Sequence, residues 1–171
     1  MTKQPAATLL LALALGVAAA AQQAHAPVKK TTRLAPHPQE NLPPLDLPAY
    51  QLPRPNDVIR HTYKYAAEHP EVLSYMPCFC GCEMGGHKSN EDCFVMSRGK
   101  NGDVTAWTEH GMVCAMCLAV AERAEAMCSK GATPAEARAD IIKRYGQLTG
   151  TMTPTPEPPT ATSAPKPALK K

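Results

Sequence analysis

MVCAMCLAVAERAEAMCSKGATPAE, residues 112–136, decides most of what this chain can become. Two cysteines three apart lead into a run of Ala, Leu, Met and Glu, strong helix formers, which stops at Gly131. Thr133-Pro134-Ala135-Glu136 then marks a new helix start. The threonine hydroxyl accepts from the amide three residues on, the glutamate reaches back, and the proline sits where no amide is needed. One helix is therefore predicted from about Met112 to Ser129. Another runs from Pro134 to Gly146, with Ala137, Ile141, Tyr145 and Leu148 toward one face. Upstream, Asn56 or Asp57 caps a first helix to about Glu68, with Val58, Thr62, Tyr65 and Ala66 at helical spacing, and Pro70 ends or restarts it. Cys93 to Met96 and Val104 to Trp107 flank the turn-like segment Arg98 to Asp103, which predicts a short β-hairpin. The expected fold is mainly α: a small three-helix domain with a cysteine-rich loop and one short hairpin.

Outside residues 56–148 the composition changes. Of the 18 prolines, only Pro70, Pro77 and Pro134 fall inside that stretch. Residues 1–26 read as a signal peptide: Lys3 is the positive end, Ala6 to Ala21 the apolar run, and Ala24-His25-Ala26 a small-x-small cleavage pattern. Residues 27–55 read as a Pro-rich spacer, and 149–171 as a disordered Thr/Pro/Lys tail too poor in large apolar residues to repay ordering. A periplasmic or secreted protein follows, with no membrane span after cleavage, because the leader's apolar run falls short of about 20 residues. The formal net charge is +3, yet the middle stretch carries more Asp and Glu than Lys and Arg. No clustered basic face is available for nucleic acid.

With Phe79, Phe94 and Trp107 as its only non-tyrosine aromatics, the domain has a thin core, and all seven cysteines lie in it. A small domain of that kind needs a staple. Cys78, Cys80 and Cys82 alternate in Pro77-Cys78-Phe79-Cys80-Gly81-Cys82. That spacing is too tight for an unstrained disulfide, but it lets thiolates converge on one ion or bridge two. Cys114 and Cys117 form CxxC, here on one helix face near its start, where the dipole favours thiolate. Leu118 follows, so the haem-attachment pattern CxxCH is absent. Cys93 either joins the cluster or pairs with Cys128. Cys128 lies eleven residues beyond Cys117, about 16 Å along a continuous helix at 1.5 Å per residue, and reads as a small buried apolar side chain.

His87, after Gly85-Gly86, and His110, four residues before the CxxC, are candidate ligands, because imidazole suits zinc and copper alike. His61 and His69 fall in the first helical region and read as solvated or capping. Met76, Met84, Met112, Met116 and Met127 lie within two residues of a cysteine, in keeping with a soft ion, although methionine also fills irregular cores. No triad, phosphate loop or paired catalytic carboxylates can be read, so the predicted role is binding and not catalysis.

The hexapeptide Pro77 to Cys82 resembles the signature of the PCYCGC-motif family of exported bacterial cysteine-rich proteins, with Phe79 in place of tyrosine. Glu68 to Leu73, Gly86 to Asn90, Asp92-Cys93-Phe94 and His110-Gly111 with the following CxxC are similar to that family too. Many members look like lipoproteins, whereas no lipid-attachment cysteine is seen here. The resemblance implies an exported cysteine-rich module and puts Cys78, Cys80, Cys82, Cys93, Cys114, Cys117, His87 and His110 forward as one functional set. The reading of these residues is a soft-metal binding protein, with Cu(I) first and Zn(II) the alternative, exchanging its ion with a metal-donor or metal-acceptor protein. The competing readings are a disulfide-stapled or zinc-stabilised interaction module and a thiol-disulfide oxidoreductase working through Cys114 and Cys117.

Overall fold

A computed structural model describes residues 35–159. The signal-peptide reading, residues 27–34 and residues 160–171 lie outside the described residues. Helix α1 (Asn56–Glu68) starts directly after Pro55 with no side-chain cap, and Pro70 restarts the chain as α2 (Pro70–Leu73). Its buried residues are Ile59, Thr62, Tyr63, Tyr65, Ala66 and Ala67. Ile59, Tyr63 and Ala67 thus join the expected stripe on α1, and Val58 is only half-buried.

Strands β1 (Val95–Arg98) and β2 (Val104–Trp107) pair antiparallel, Val95 with Trp107 and Arg98 with Val104, forming the expected hairpin. The hairpin is bolted to α1 from both ends. Arg98 donates to the carbonyls of Ala66 and Ala67 at 3.0 Å each and to Glu91 at 2.8 Å, giving partners to carbonyls at the helix C-terminus that would otherwise be orphaned. Tyr63 stands edge-on to Phe94 and Trp107, with ring centroids 5.2 and 5.4 Å away. Its hydroxyl donates to the Thr108 carbonyl at 2.6 Å and accepts from the Met112 amide at 3.0 Å.

The long second helix expected from Met112 is two helices, α3 (His110–Val113) and α4 (Ala115–Cys128), because Cys114 adopts an extended backbone, φ −105° and ψ 104°. The cause is tertiary. Gly111 is pressed against the Phe94 ring and the Cys93 carbonyl so closely that no side chain would fit. That contact holds α3 in one place, and the chain turns at Cys114 to let α4 run between α1 and α5. Helix α5 (Pro134–Thr149) carries the expected capping box, with Thr133 Oγ1 accepting from the Glu136 amide at 3.2 Å and the Glu136 carboxylate accepting from the Thr133 amide at 2.7 Å. It runs through Gly146, which lies beside Phe79, and ends at Gly150 instead. Ala137 and Ile141 are buried, Tyr145 is half-buried, and Leu148 faces solvent.

Where composition reads spacer and tail, the described parts of both carry specific contacts. Gln39 is buried, and its amide pairs with β2 as a third strand would, accepting from the Val104 amide at 2.7 Å and donating to the Val104 carbonyl at 3.1 Å. Leu42, Leu45, Leu47 and Leu52 pack on the core, and Trp107 donates to the Pro43 carbonyl. At the other end Thr153 is fully buried. Prolines and threonines lack the apolar area to order a chain by themselves; here hydrogen bonds to preformed elements, joined in 35–55 by the packing of four leucines, do it.

Candidate metal centre

Four segments meet where the cysteines do: the loop 77–82, the 3-10 turn Glu91–Cys93, and α3 with the start of α4. Gly81 sits at φ 75°, a left-handed conformation open to glycine, and this turns the loop so that Cys82 begins a 3-10 turn (Cys82–Gly85). Phe79 is fully buried against Tyr145 at a centroid distance of 6.1 Å, anchoring the loop on α5. Thr153 pins the loop from outside: its hydroxyl accepts from the Cys78 amide at 2.8 Å, and its own amide donates to the Cys78 carbonyl at 3.0 Å.

The Cys78 sulfur lies 3.3 Å from that of Cys117, 3.4 Å from Cys80 and 3.6 Å from Cys93. Cys80 and Cys117 are 3.6 Å apart, and Cys82 and Cys93 3.9 Å. His110 Nε2 is 3.4 Å from the Cys80 sulfur and His87 Nδ1 3.5 Å from that of Cys93, with the two rings edge to face at 5.1 Å. Cys114 completes a group with Cys80, His110 and Cys117 whose ligand atoms all lie within 4.8 Å of one another. Sulfurs held at about 2.3 Å around one tetrahedral zinc would stand about 3.8 Å apart, so small outward shifts of these sulfurs would let them share an ion. All seven cysteines are free thiols.

Charge within this web is unevenly held. The Cys78 thiol is pushed far down, first by the bond to Cys117 and then by that to Cys93. The Cys114 thiol falls to about 5, with Cys117 as the main cause and the amides of Cys117 and Met116 adding to it. Cys117 is driven up by its bonds to Cys114 and Cys78. Cys93 is drawn down by Cys117 but driven up overall by Cys78, Cys82 and burial. Burial and the neighbouring Cys78 push Cys80 up. Cys78 and Cys114 are thus the sulfurs readiest to lose a proton, and a soft cation would displace the remaining thiol protons as it bound the sulfurs.

Every residue of the predicted set, Cys78, Cys80, Cys82, Cys93, Cys114, Cys117, His87 and His110, lies in this web, although Cys114 reaches it from an extended residue and not from a helix face. Cys93 belongs to the cluster and is not a partner of Cys128. Cys128, at the far end of α4, lies instead beside Tyr65, His69 and Glu71. His61 and His69 pair with Glu125 at 2.7 Å and Glu71 at 2.9 Å. Met76 and Met112 are core residues, whereas Met84 is 90% exposed. Asn90 was not foreseen. It is fully buried, donates to the Cys117 carbonyl at 3.2 Å, and accepts from the Cys93 amide at 3.1 Å, tying two ligand segments together. An amide residue three positions before a cysteine carries no sequence signal for that role.

Fold and centre together define a class: a small, mainly helical domain built around a Cys/His cluster able to hold a metal ion. Within that class the chain belongs to the family described as protein of unknown function with PCYCGC motif, matched over residues 8–158. No curated protein and no solved structure matches the chain.

Proposed function

We propose that this protein is an exported carrier of a soft metal ion, Cu(I) first and Zn(II) second, which takes up and hands over its ion in the periplasm or outside the cell. The carrying observation is the unbroken web of six sulfurs with Cys78, Cys93 and Cys117 fully buried while Cys80 is exposed at its edge beside His110. Buried thiolates give affinity, and an exposed one gives an incoming donor or acceptor protein a point of ligand exchange. Met84 stands in solvent with its terminal methyl beside Gly81, and an exposed thioether favours capture of a soft ion over a hard one. A carrier of this kind performs no catalysis.

Protein isolated anaerobically carries metal and shows few titratable thiols until the ion is removed. Cu(I) then displaces Zn(II), and Cys80→Ser slows transfer to a chelator more than it lowers affinity. Metal-free protein lighter by about six mass units, with three disulfides and one thiol, would sink the proposal.

The lowered thiol of Cys114, next to buried Cys117, favours one second reading, a thiol-disulfide oxidoreductase. Turnover of a disulfide substrate that Cys114→Ser abolishes while metal affinity stays intact would select it.

A further inference from the structure

We infer that the centre holds two metal ions joined through the sulfur of Cys117. This deepens the carrier reading and rests on it. Four overlapping donor groups exist within the web, and two of them meet at Cys117: Cys80, His110, Cys114 and Cys117 toward solvent, and Cys78, Cys93 and Cys117 in the interior; Cys78, Cys80 and Cys82, and Cys82, Cys93 and His110, are the other two. In each group the ligand atoms lie within 4.8 Å of one another, close enough for one ion at metal–sulfur distances of about 2.3 Å to touch them all. Cys117 is the only residue common to both groups. Its sulfur is fully buried, 3.3 Å from Cys78 on the inner side and 3.6 Å from Cys80 on the outer. A thiolate keeps lone pairs free after binding one ion, so a second ion on its other side needs no additional ligand.

One ion cannot serve the whole web. Four-coordination in the outer group leaves Cys78 and Cys93 without a cation in the interior, and an inner ion alone leaves Cys80, Cys114 and His110 idle. Two ions use both groups. The outer ion, held by the exposed Cys80, is the one that exchanges, and the inner ion, held by three fully buried sulfurs, stays. Binding releases one proton for each thiol converted to a thiolate, and no electron is transferred.

The test is a Cu(I) titration of the reduced, metal-free full chain against a competing Cu(I) chelator, read by native mass spectrometry. Co(II) substitution serves as a magnetic probe. Saturation is expected at two ions per chain, with the magnetic moment per Co(II) lowered by coupling through the shared sulfur. Cys114→Ser and Cys93→Ser should each retain one ion, the first the inner and the second the outer, and both variants leave Cys117 in place should Cys117→Ser fail to fold. Saturation at any other number, or undiminished loading of Cys93→Ser, overturns the two-ion centre and leaves the carrier reading standing. No uptake at all overturns both.

Discussion

Gly111→Ala is the sharpest test of how the fold builds the centre. A Cβ at this position would stand 2.4 and 2.6 Å from two carbons of the Phe94 ring and 2.7 Å from the Cys93 carbonyl oxygen. The ring cannot swing away, because Phe94 is fully buried with Tyr63 at 5.2 Å, and the carbonyl is backbone. Overpacking of this kind costs about 1–3 kcal/mol, and a clash with backbone puts the substitution near the upper end. In a domain of this size about 3 kcal/mol lowers the melting temperature by about 10–15 °C. The displaced element carries His110 and leads into Cys114, so metal affinity should fall about 10- to 100-fold, the usual cost of losing a residue that orients ligands. Thermal unfolding monitored by circular dichroism, with Cu(I) competition on the same samples, measures both effects. Gly85→Ala, where a Cβ meets nothing within 4 Å, is the control and should change neither. A Gly111→Ala protein that melts within about 2 °C of the parent and binds metal equally would refute the idea that the packing of Phe94 on Gly111 positions the α3 ligands.

Thr153→Val keeps the shape but removes the acceptor for the buried Cys78 amide, so unfolding in urea should show a loss of about 1–3 kcal/mol; an unchanged midpoint would mean that the contact contributes nothing. Asp140 is held below the ordinary carboxylate range by the Arg123 guanidinium, so the pair stabilises the fold above pH about 4 and ceases to do so as pH falls through the lower folded value. The melting-temperature gap between parent and Arg123→Gln should therefore be present at pH 6 and narrow progressively as pH falls below about 4, and a gap that persists undiminished in acid would be evidence against the pairing. Cys128→Ser should leave metal loading intact, because Cys128 belongs to none of the ligand groups, and burial pushes its thiol up to about 11, so it should alkylate slowly at neutral pH. Metal loss on that substitution would show that the centre extends along α4.

The sequence speaks clearly where structure is written in local chemistry. Thr133 to Glu136 fix the start of α5 because the capping box closes within four residues, and Pro70 restarts a helix because its ring forbids continuation. That the sulfurs of Cys78 and Cys80 and those of Cys114 and Cys117 would lie close together is legible because CxCxC and CxxC are local spacings. The break at Cys114 is not legible. Nothing at that position disfavours helix, and the cause, Gly111 against Phe94, is a contact between residues 17 apart in sequence. The roles of Gln39 and Thr153 are hidden for a related reason. Each supplies hydrogen bonds to the backbone of a distant element, and composition registers only that the surrounding segment lacks apolar area.

The seating of Thr153 on Cys78 bears on the order in which the molecule matures. Every proposed ligand lies between residues 78 and 117, whereas the clasp that fixes the cysteine loop arrives 36 residues later along the chain. As the polypeptide is made or threaded through a channel from its N-terminus, the thiols emerge first and spend an interval in solution before the clasp reaches them. For that interval their chemistry is that of open-chain cysteines, equally exposed to oxidants and to metal. If the protein is the exported carrier proposed above, loading would be in a race with disulfide formation, and an ion that bound early would protect the sulfurs until the segment carrying Thr153 reached the loop.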